Sequence, residues 1–236
     1  MELTIDTSSN TAGIALSHKG EILTELNWQS LKNHTVELLP NLDYLLQQAK
    51  IELNSMQAII VSKGPGSFNA LRVGMSIAKG LAFSLDIPLL GISTLEAEAY
   101  PFAYTGLPVC PIHNAGGDKI ALALYQQKNC EWQCLEAEHL TTLHNLCQQI
   151  HRKTLFCGEI PDCMASDLQR LLDRHAIIPL TTRSTRTSSL AVLGWQRLLK
   201  GERDDPSTLQ PLYLRPPHIT KPRKGIHTDI HEETTV

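Results

Sequence analysis

An α/β fold with mixed sheets flanked by helices, divided into two small domains, is what this 236-residue chain predicts. Three observations carry that reading. Two adjoining strand patterns lead into a strand, helix, strand, helix, strand series; residues 101–108 (Pro-Phe-Ala-Tyr-Thr-Gly-Leu-Pro) form a breaker-rich hinge; and a second series of strands and helices follows it. With 42% hydrophobic and 19% charged residues the chain has enough apolar surface for a core of that size.

Residues 1–6 alternate in polarity, and residues 13–17 (Gly-Ile-Ala-Leu-Ser) follow a polar Thr-Ser-Ser-Asn-Thr cluster, which predicts an antiparallel hairpin. A third strand is expected over 21–28. Residues 35–50 place Val36, Leu38, Leu39, Leu42, Leu45, Leu46 and Ala49 at helical spacing. Thr35 is the expected N-cap of that helix, and Pro40 falls early in it, where a missing backbone hydrogen bond costs least. The β-branched run Ala-Ile-Ile-Val-Ser at 58–62 predicts a buried strand. Next, Lys63-Gly64-Pro65-Gly66-Ser67 turns sharply into a second helix reaching about Leu85, with Ser67 as its cap, and residues 89–92 make another buried strand. Such a succession forms a right-handed unit.

Past the hinge, strands are expected over 109–113, 120–125, 132–135 and 154–157, and helices over 140–152 and 167–174. Residues 188–200 predict an amphipathic helix capped by Ser188 or Ser189 and closed by Gly201. Both halves open on strands around a small-residue turn, which suggests internal duplication. The expected domains are 1–104 and 105–215, with helix 188–200 free to pack back on the first. Residues 216–236 have too few apolar side chains to offset their ordering entropy and are expected to form a mobile tail.

A formal net charge of −3 excludes a protein whose whole surface is built to attract nucleic acid. Nine Lys and Arg against three Asp and Glu fall in residues 183–224. This local excess reads as a solvated surface first and as a weak, salt-dependent nucleic-acid contact second. The opening Met-Glu-Leu-Thr-Ile-Asp carries no export signal, and no apolar run nears the roughly 20 residues a membrane helix needs, so a cytoplasmic protein without membrane contact is expected. Cys110, Cys130, Cys134, Cys147, Cys157 and Cys163 show no CxxC spacing and read as free thiols.

Three features could carry chemistry. In the first hairpin turn, Asp6, Thr7 and Ser8 offer a carboxylate, hydroxyls and amides able to hold a metal-bound phosphate, although spacing alone favours a turn that bonds its own backbone. The stretch from Gly64 to Gly74 feeds a helix N-terminus, where anions settle. It is not a GxxxxGK[ST] loop, and Lys79 lies deep in the helix. On composition its glycines simply make the turn. Within that helix Ala70, Gly74, Ala78 and Ala82 form a smooth ridge flanked by Leu71, Met75 and Leu85. The ridge suits either a seam with a partner helix or close packing on the chain's own sheet. His34 is expected to cap or to face a partner, and no HExxH, GxSxG or Cys–His pair occurs.

Five blocks together resemble the TsaB/YeaZ family: Ile-Asp-Thr-Ser at 5–8, Asn33-His34-Thr35-Val36-Glu37-Leu38-Leu39-Pro40, the Gly64 to Gly74 stretch with Ala78-Lys-Gly-Leu-Ala82, residues 88–97 (Pro-Leu-Leu-Gly-Ile-Ser-Thr-Leu-Glu-Ala), and Pro211-Leu-Tyr-Leu-Arg215. The resemblance implies a two-lobed fold of the actin/Hsp70/sugar-kinase (ASKHA) type. It further implies a non-catalytic paralogue of the metalloenzyme that places a threonylcarbamoyl group on adenosine 37 of tRNAs reading ANN codons. Its implied partners are the catalytic TsaD-type paralogue, a small TsaE-type ATPase, a second copy when alone, and tRNA only through the complex.

On that resemblance the helices at 35–50 and 68–85 build the partner contact, with His34, Leu38, Leu42, Leu45, Ala70, Leu71, Gly74, Met75, Ala78 and Ala82 as its residues. Asp6, Thr7 and Ser8 become a vestigial nucleotide-binding turn, so no cofactor is expected beyond weak nucleotide binding. In the catalytic relative two histidines four residues apart hold a metal; Thr94 and Glu98 stand at those positions here. A hydroxyl and a single acid cannot replace two imidazoles, and no metal is expected. Two departures from the family pattern are Asn69-Ala70 in place of Thr-Gly, and Asn114-Ala115-Gly116-Gly117-Asp118 in place of an Asp-Ala-Arg-Arg-type turn. The rival reading is an active phosphotransferase or ATPase with Asp6 as metal ligand; a peptidase lacks any nucleophile–base pair.

Overall fold

The computed structural model describes residues 1–179 and 186–215. The stretch expected as a tail, 216–236, lies outside the described residues, as does part of the basic segment 183–224. The chain runs β1 (Glu2–Asp6), β2 (Thr11–His18), β3 (Glu21–Gln29), α1 (His34–Ala49), β4 (Ala58–Gly64), α2 (Phe68–Leu85), β5 (Leu89–Ser93) and α3 (Thr94–Ala99). It continues through β6 (Val109–Asn114), β7 (Lys119–Lys128), β8 (Glu131–Thr142), α4 (Leu143–Gln149), β9 (Thr154–Gly158), α5 (Asp162–Leu172), β10 (Ala176–Ile177) and α6 (Arg186–Leu199).

Two five-stranded mixed sheets result, ordered β3-β2-β1-β4-β5 and β10-β9-β6-β7-β8. The second repeats the first: a three-stranded antiparallel meander comes first, then two strands join in parallel through helical crossovers. This arrangement of two like sheets follows from the two kinds of strand pattern. The meander strands are joined by short polar turns, whereas β4 and β5 are apolar on both faces because helices cover both.

The repeats exchange their last helices. Helix α3, which ends the first repeat, packs on β6, β7 and β9 of the second sheet, and α6, which ends the second, packs on β1, β2, β4 and β5 of the first. The two helices also pack on each other, so they form one shared layer between the sheets. On the outer face of the first sheet, Leu38, Leu42 and Leu45 of α1 and Met75, Ala78 and Ala82 of α2 pack on Leu3, Ile5, Ile14 and Leu16. Facing the shared layer, Ile60, Leu90 and Ile92 meet Leu190 and Leu193 of α6. A Cβ added at Gly194 would lie 2.5 Å from Ile60 Cδ1, so glycine sets how closely α6 approaches the sheet.

Several local expectations shift. Helix α1 starts at His34 after Asn33, which makes no side-chain cap, and Thr35 lies inside the helix. Ser67 occupies the N-cap position of α2 but makes no side-chain cap bond. Strand β8 runs on to Thr142 because it pairs with β7 as far as Thr142 opposite Lys119. The helix expected over 140–152 therefore shrinks to α4, capped by the Thr142 hydroxyl, which accepts the Asn145 N–H at 3.3 Å. Helix α5 begins at Asp162 rather than 167, and β10, only two residues long, leaves no periodic signal. Helix α6 begins at Arg186, which puts Ser188 and Ser189 within it rather than at its cap; Gly201 follows its end at φ +76°. Among the described residues no helix is long and apolar enough to cross a membrane.

The small-residue ridge corrects a larger expectation. Ala70, Gly74, Ala78 and Ala82, with Leu71 and Met75, are buried inside the chain, and so are His34, Leu38, Leu42 and Leu45. All ten residues assigned to a partner seam belong to the protein's own core. The ridge lets α2 settle on the first sheet, with Gly74 directly over the β1–β2 turn: a Cβ there would lie 2.3 Å from Thr7 Oγ1. His34 turns inward as well, its Nε2 3.0 Å from the Ser9 carbonyl oxygen. Small residues at every fourth position suit a sheet as well as a helix, which is why the pattern alone left both open.

Gly74→Leu is accordingly expected to destabilise the isolated chain by more than about 3 kcal/mol in denaturant unfolding. An unchanged unfolding midpoint would mean that α2 does not rest on Thr7.

Candidate site between the lobes

The C-terminal end of β1 opens toward the shared helical layer, at the kind of crevice where open α/β sheets place their ligands. The Asp6, Thr7 and Ser8 side chains of the turn there are all engaged by other groups of the chain. Asp6 Oδ1 accepts the Ser8 N–H at 2.9 Å and the Ser8 hydroxyl at 2.7 Å. The Thr7 hydroxyl donates to the Ala70 carbonyl at 2.7 Å. Asp6 Oδ2 receives Arg186 Nε at 2.6 Å.

Arg186 stands at the start of α6 and spends its remaining donors nearby. Nη1 donates to Glu98 Oε1 at 3.1 Å, and Nη2 donates to Ser9 Oγ at 2.7 Å and to the Thr11 carbonyl at 3.2 Å. The other Glu98 oxygen, Oε2, lies 2.7 Å from His113 Nε2 on β6. Side-chain exposures are 3% for Asp6, 14% for Arg186, 12% for Glu98 and 8% for His113. The ion pairs thus link β1, α6 and α3 to the second sheet through a nearly dry space. Gly158 makes room for Glu98, since a Cβ there would lie 2.8 Å from Glu98 Oε2.

Charge follows geometry. Burial pushes the Asp6 carboxyl up, but Arg186 and the Ser8 hydrogen bonds outweigh it and hold the group below the ordinary carboxylate value. Burial pulls His113 down, yet the Glu98 carboxylate, with help from Glu159, raises it above its ordinary value. Deeper in the same layer Glu96 pairs with Arg197 at 2.5 Å; burial dominates there and leaves its carboxyl above the ordinary value.

Beside this network lies a cavity of about 450 Å³ bordered by Ser9, Phe68, His113, Asn114 and the C-terminal segment at Tyr213 and Arg215. That segment is fastened across the lobes. The Leu212 N–H donates to the Lys63 carbonyl at 2.6 Å, the Tyr213 ring lies 4.6 Å from that of Phe68, and Arg215 Nη2 donates to the Gly116 carbonyl at 3.1 Å. The turn at 114–118 closes on itself, the Asn114 side chain accepting the Gly116 N–H at 2.7 Å.

Residues 28–220 match the family model described as TsaD, tRNA N6-adenosine threonylcarbamoyltransferase. The chain is also similar to the tRNA threonylcarbamoyladenosine biosynthesis protein TsaB of Bacillus subtilis, at 31% identity over 217 residues, 90% of this chain and 93% of that protein. It belongs to the TsaB/YeaZ family. The TsaB of Haemophilus influenzae is 41% identical over 97 residues, 41% of each chain, so that match spans well under half of either protein. The YeaZ structure from Pseudomonas aeruginosa has the same fold, with TM-score 0.73 and 22% identity over 90% of this chain and 99% of that one.

In this TsaB/YeaZ chain the residues of the vestigial turn and of the lost metal positions are only partly brought together. Asp6, Thr7 and Ser8 share one buried turn, and Arg186 brings Asp6 together with Glu98. Thr94 is separate: its hydroxyl is fully buried without a hydrogen-bond partner among the described residues, while Glu98 reaches away to Arg186. The Thr94 and Glu98 pair therefore does not converge on a common point, and among the described residues no three His, Cys, Asp or Glu side chains are placed to hold a metal. Sequence reasoning missed Arg186 and His113. The only trace of Arg186 was its membership in the basic segment. Arg186, Arg197 and Arg215, three of the nine basic residues of that segment, bond groups of the chain itself.

His113 sets a pH dependence. Its folded pKa lies above the ordinary 6.5, so its bond to Glu98 contributes stability that is complete below the unfolded value and is lost as pH rises through the folded one. The gap in melting temperature between wild type and His113→Gln is expected to narrow as pH rises above the ordinary histidine value of about 6.5. A gap that does not change with pH would show that the Glu98 bond does not depend on protonation of His113.

Proposed function

We propose that this chain is a non-catalytic adaptor in the formation of the threonylcarbamoyl group on adenosine 37 of tRNAs reading ANN codons. In this reading it works in the cytoplasm, dimerises with a catalytic TsaD-type paralogue, stabilises that partner's active form, recruits a small TsaE-type ATPase, and pairs with itself when alone. The names of its TsaB relatives support a part in threonylcarbamoyladenosine biosynthesis.

The observation that carries the adaptor reading is the outer surface of α1 and α2. Val36 is 69% exposed, Leu39 52% and Phe83 83%, an unusual apolar load for the solvent side of two neighbouring helices. Half-buried Val73, Ile77 and Leu81 lie among them. Ser76 and Gly80 are exposed on the same side of α2, and a Cβ added at Gly80 meets nothing within 4 Å. A second helix can come close there without disturbing the core. The partner seam is thus proposed on the face opposite the ridge, the inner face being already filled by the first sheet. Burying these side chains against a partner is worth about 25 cal/mol per Å² of apolar surface.

The rival phosphotransferase or ATPase reading needs Asp6 free to hold a cation at a phosphate. Its Oδ2 is committed to Arg186 and its Oδ1 to Ser8, which favours the adaptor.

Phe83→Asp and Val36→Asp are expected to weaken association with the TsaD-type partner at least about tenfold in titration calorimetry while leaving the melting temperature of the isolated chain unchanged. Unchanged affinity would place the seam elsewhere. Given threonylcarbamoyl-adenylate as the activated donor and tRNA as acceptor, the isolated chain is expected to transfer no threonylcarbamoyl group and to release no AMP; transfer without a partner would refute the reading.

A further inference from the structure

Two positions weighed from sequence for a cation, the second of them with no metal expected, meet at one cation. The first is Asp6, considered as a ligand for a phosphate-bound metal; the second is Glu98, considered as the remnant of a metal-binding pair. Their carboxylates stand on either side of a single guanidinium. Arg186 donates through Nε to Asp6 Oδ2 at 2.6 Å and through Nη1 to Glu98 Oε1 at 3.1 Å, and Nη2 completes the fit on Ser9 Oγ and the Thr11 carbonyl. The socket offers acceptors only, from β1, the β1–β2 turn and α3, and the planar fork of an arginine matches them.

A metal-bound nucleotide does not fit this arrangement. The outer oxygen of Asp6 holds the guanidinium and the inner one holds Ser8; Glu98 divides its oxygens between Arg186 and His113. The hydroxyl of Thr7, the third member of the Asp6, Thr7 and Ser8 group, is buried and turned to Ala70.

We infer that Arg186 is a resident cation that takes the place of a nucleotide-borne metal and braces the two lobes together. A guanidinium carried on α6 is always present, so the link from Asp6 through Glu98 to His113 does not depend on any ligand. The lobes are held at one separation, and the α1 and α2 surface is presented without a nucleotide cycle. The socket recognises a small planar cation with several N–H donors, and removing the Arg186 side chain leaves a site for free guanidinium or methylguanidinium.

The isolated chain tests this without any partner, so its outcome is separate from that of the adaptor reading. Arg186→Ala is expected to melt about 10 °C below wild type. Methylguanidinium at about 20 mM should restore part of that loss saturably, while sodium chloride of equal ionic strength does not, and wild type should gain nothing from either. Should the alanine variant fail to fold, Arg186→Lys keeps the charge but offers one point donor. In hydrogen exchange it is expected to lose protection both at residues 7–11 and at residues 109–114, which belong to different sheets. Loss confined to the start of α6, or an alanine variant that folds but shows no rescue, would overturn the inference. So would binding of Mg-ATP by wild type at about 5 mM ligand or below, detected by calorimetry.

Discussion

Two carboxylates buried near one another repel unless a cation stands between them, and water cannot screen them in a space this dry. In this chain the cation is Arg186. Remove it and Asp6 loses the partner that holds it ionised, Glu98 keeps only His113, and α6 loses its anchor on the β1–β2 turn. The pairing joins residues from opposite ends of the chain, so it forms only once both repeats are assembled. It also explains why the hairpin turn keeps a carboxylate and two hydroxyls without presenting them to a ligand.

The exchange of α3 and α6 makes that pairing possible. Each repeat by itself would leave one sheet face bare, and each covers the other's with its last helix. Because α3 lies on the second sheet while belonging to the first repeat, Glu98 can bond Arg186 with one oxygen and His113 with the other. Packing of apolar side chains positions the layer; the ion pairs then fix its register.

While the ion-pair network is committed to the protein's own side chains, the outer surface of the first lobe keeps apolar side chains in solvent. The inner faces of α1 and α2 are consumed by the first sheet, and their outer faces keep Val36, Leu39 and Phe83 in solvent. An apolar surface of that kind is costly for a chain that acts alone and useful for one that docks. The division of labour is clear in α2, where Ala70, Gly74, Ala78 and Ala82 serve the core and Ser76 and Gly80 face outward.

Local chemistry was enough to determine much of the chain. The hairpin, the buried run of β4, the span of α2 between its glycine-rich turn and Leu85, the likeness of the two halves and the family blocks are all written in neighbouring residues, because turn geometry and side-chain periodicity act over a few positions. Tertiary structure alone decided the rest. Periodicity marks a face as small or apolar but does not say what covers it, so the α2 ridge went to the sheet and not to a partner. Strand pairing outweighed helical pattern at residues 140–142, where β7 supplied the hydrogen bonds. The meeting of Asp6 with Arg186, 180 residues away, has no local signal at all. An arginine in a polar stretch looks the same whether it faces water or two buried acids, and only the folded chain brings those acids to it.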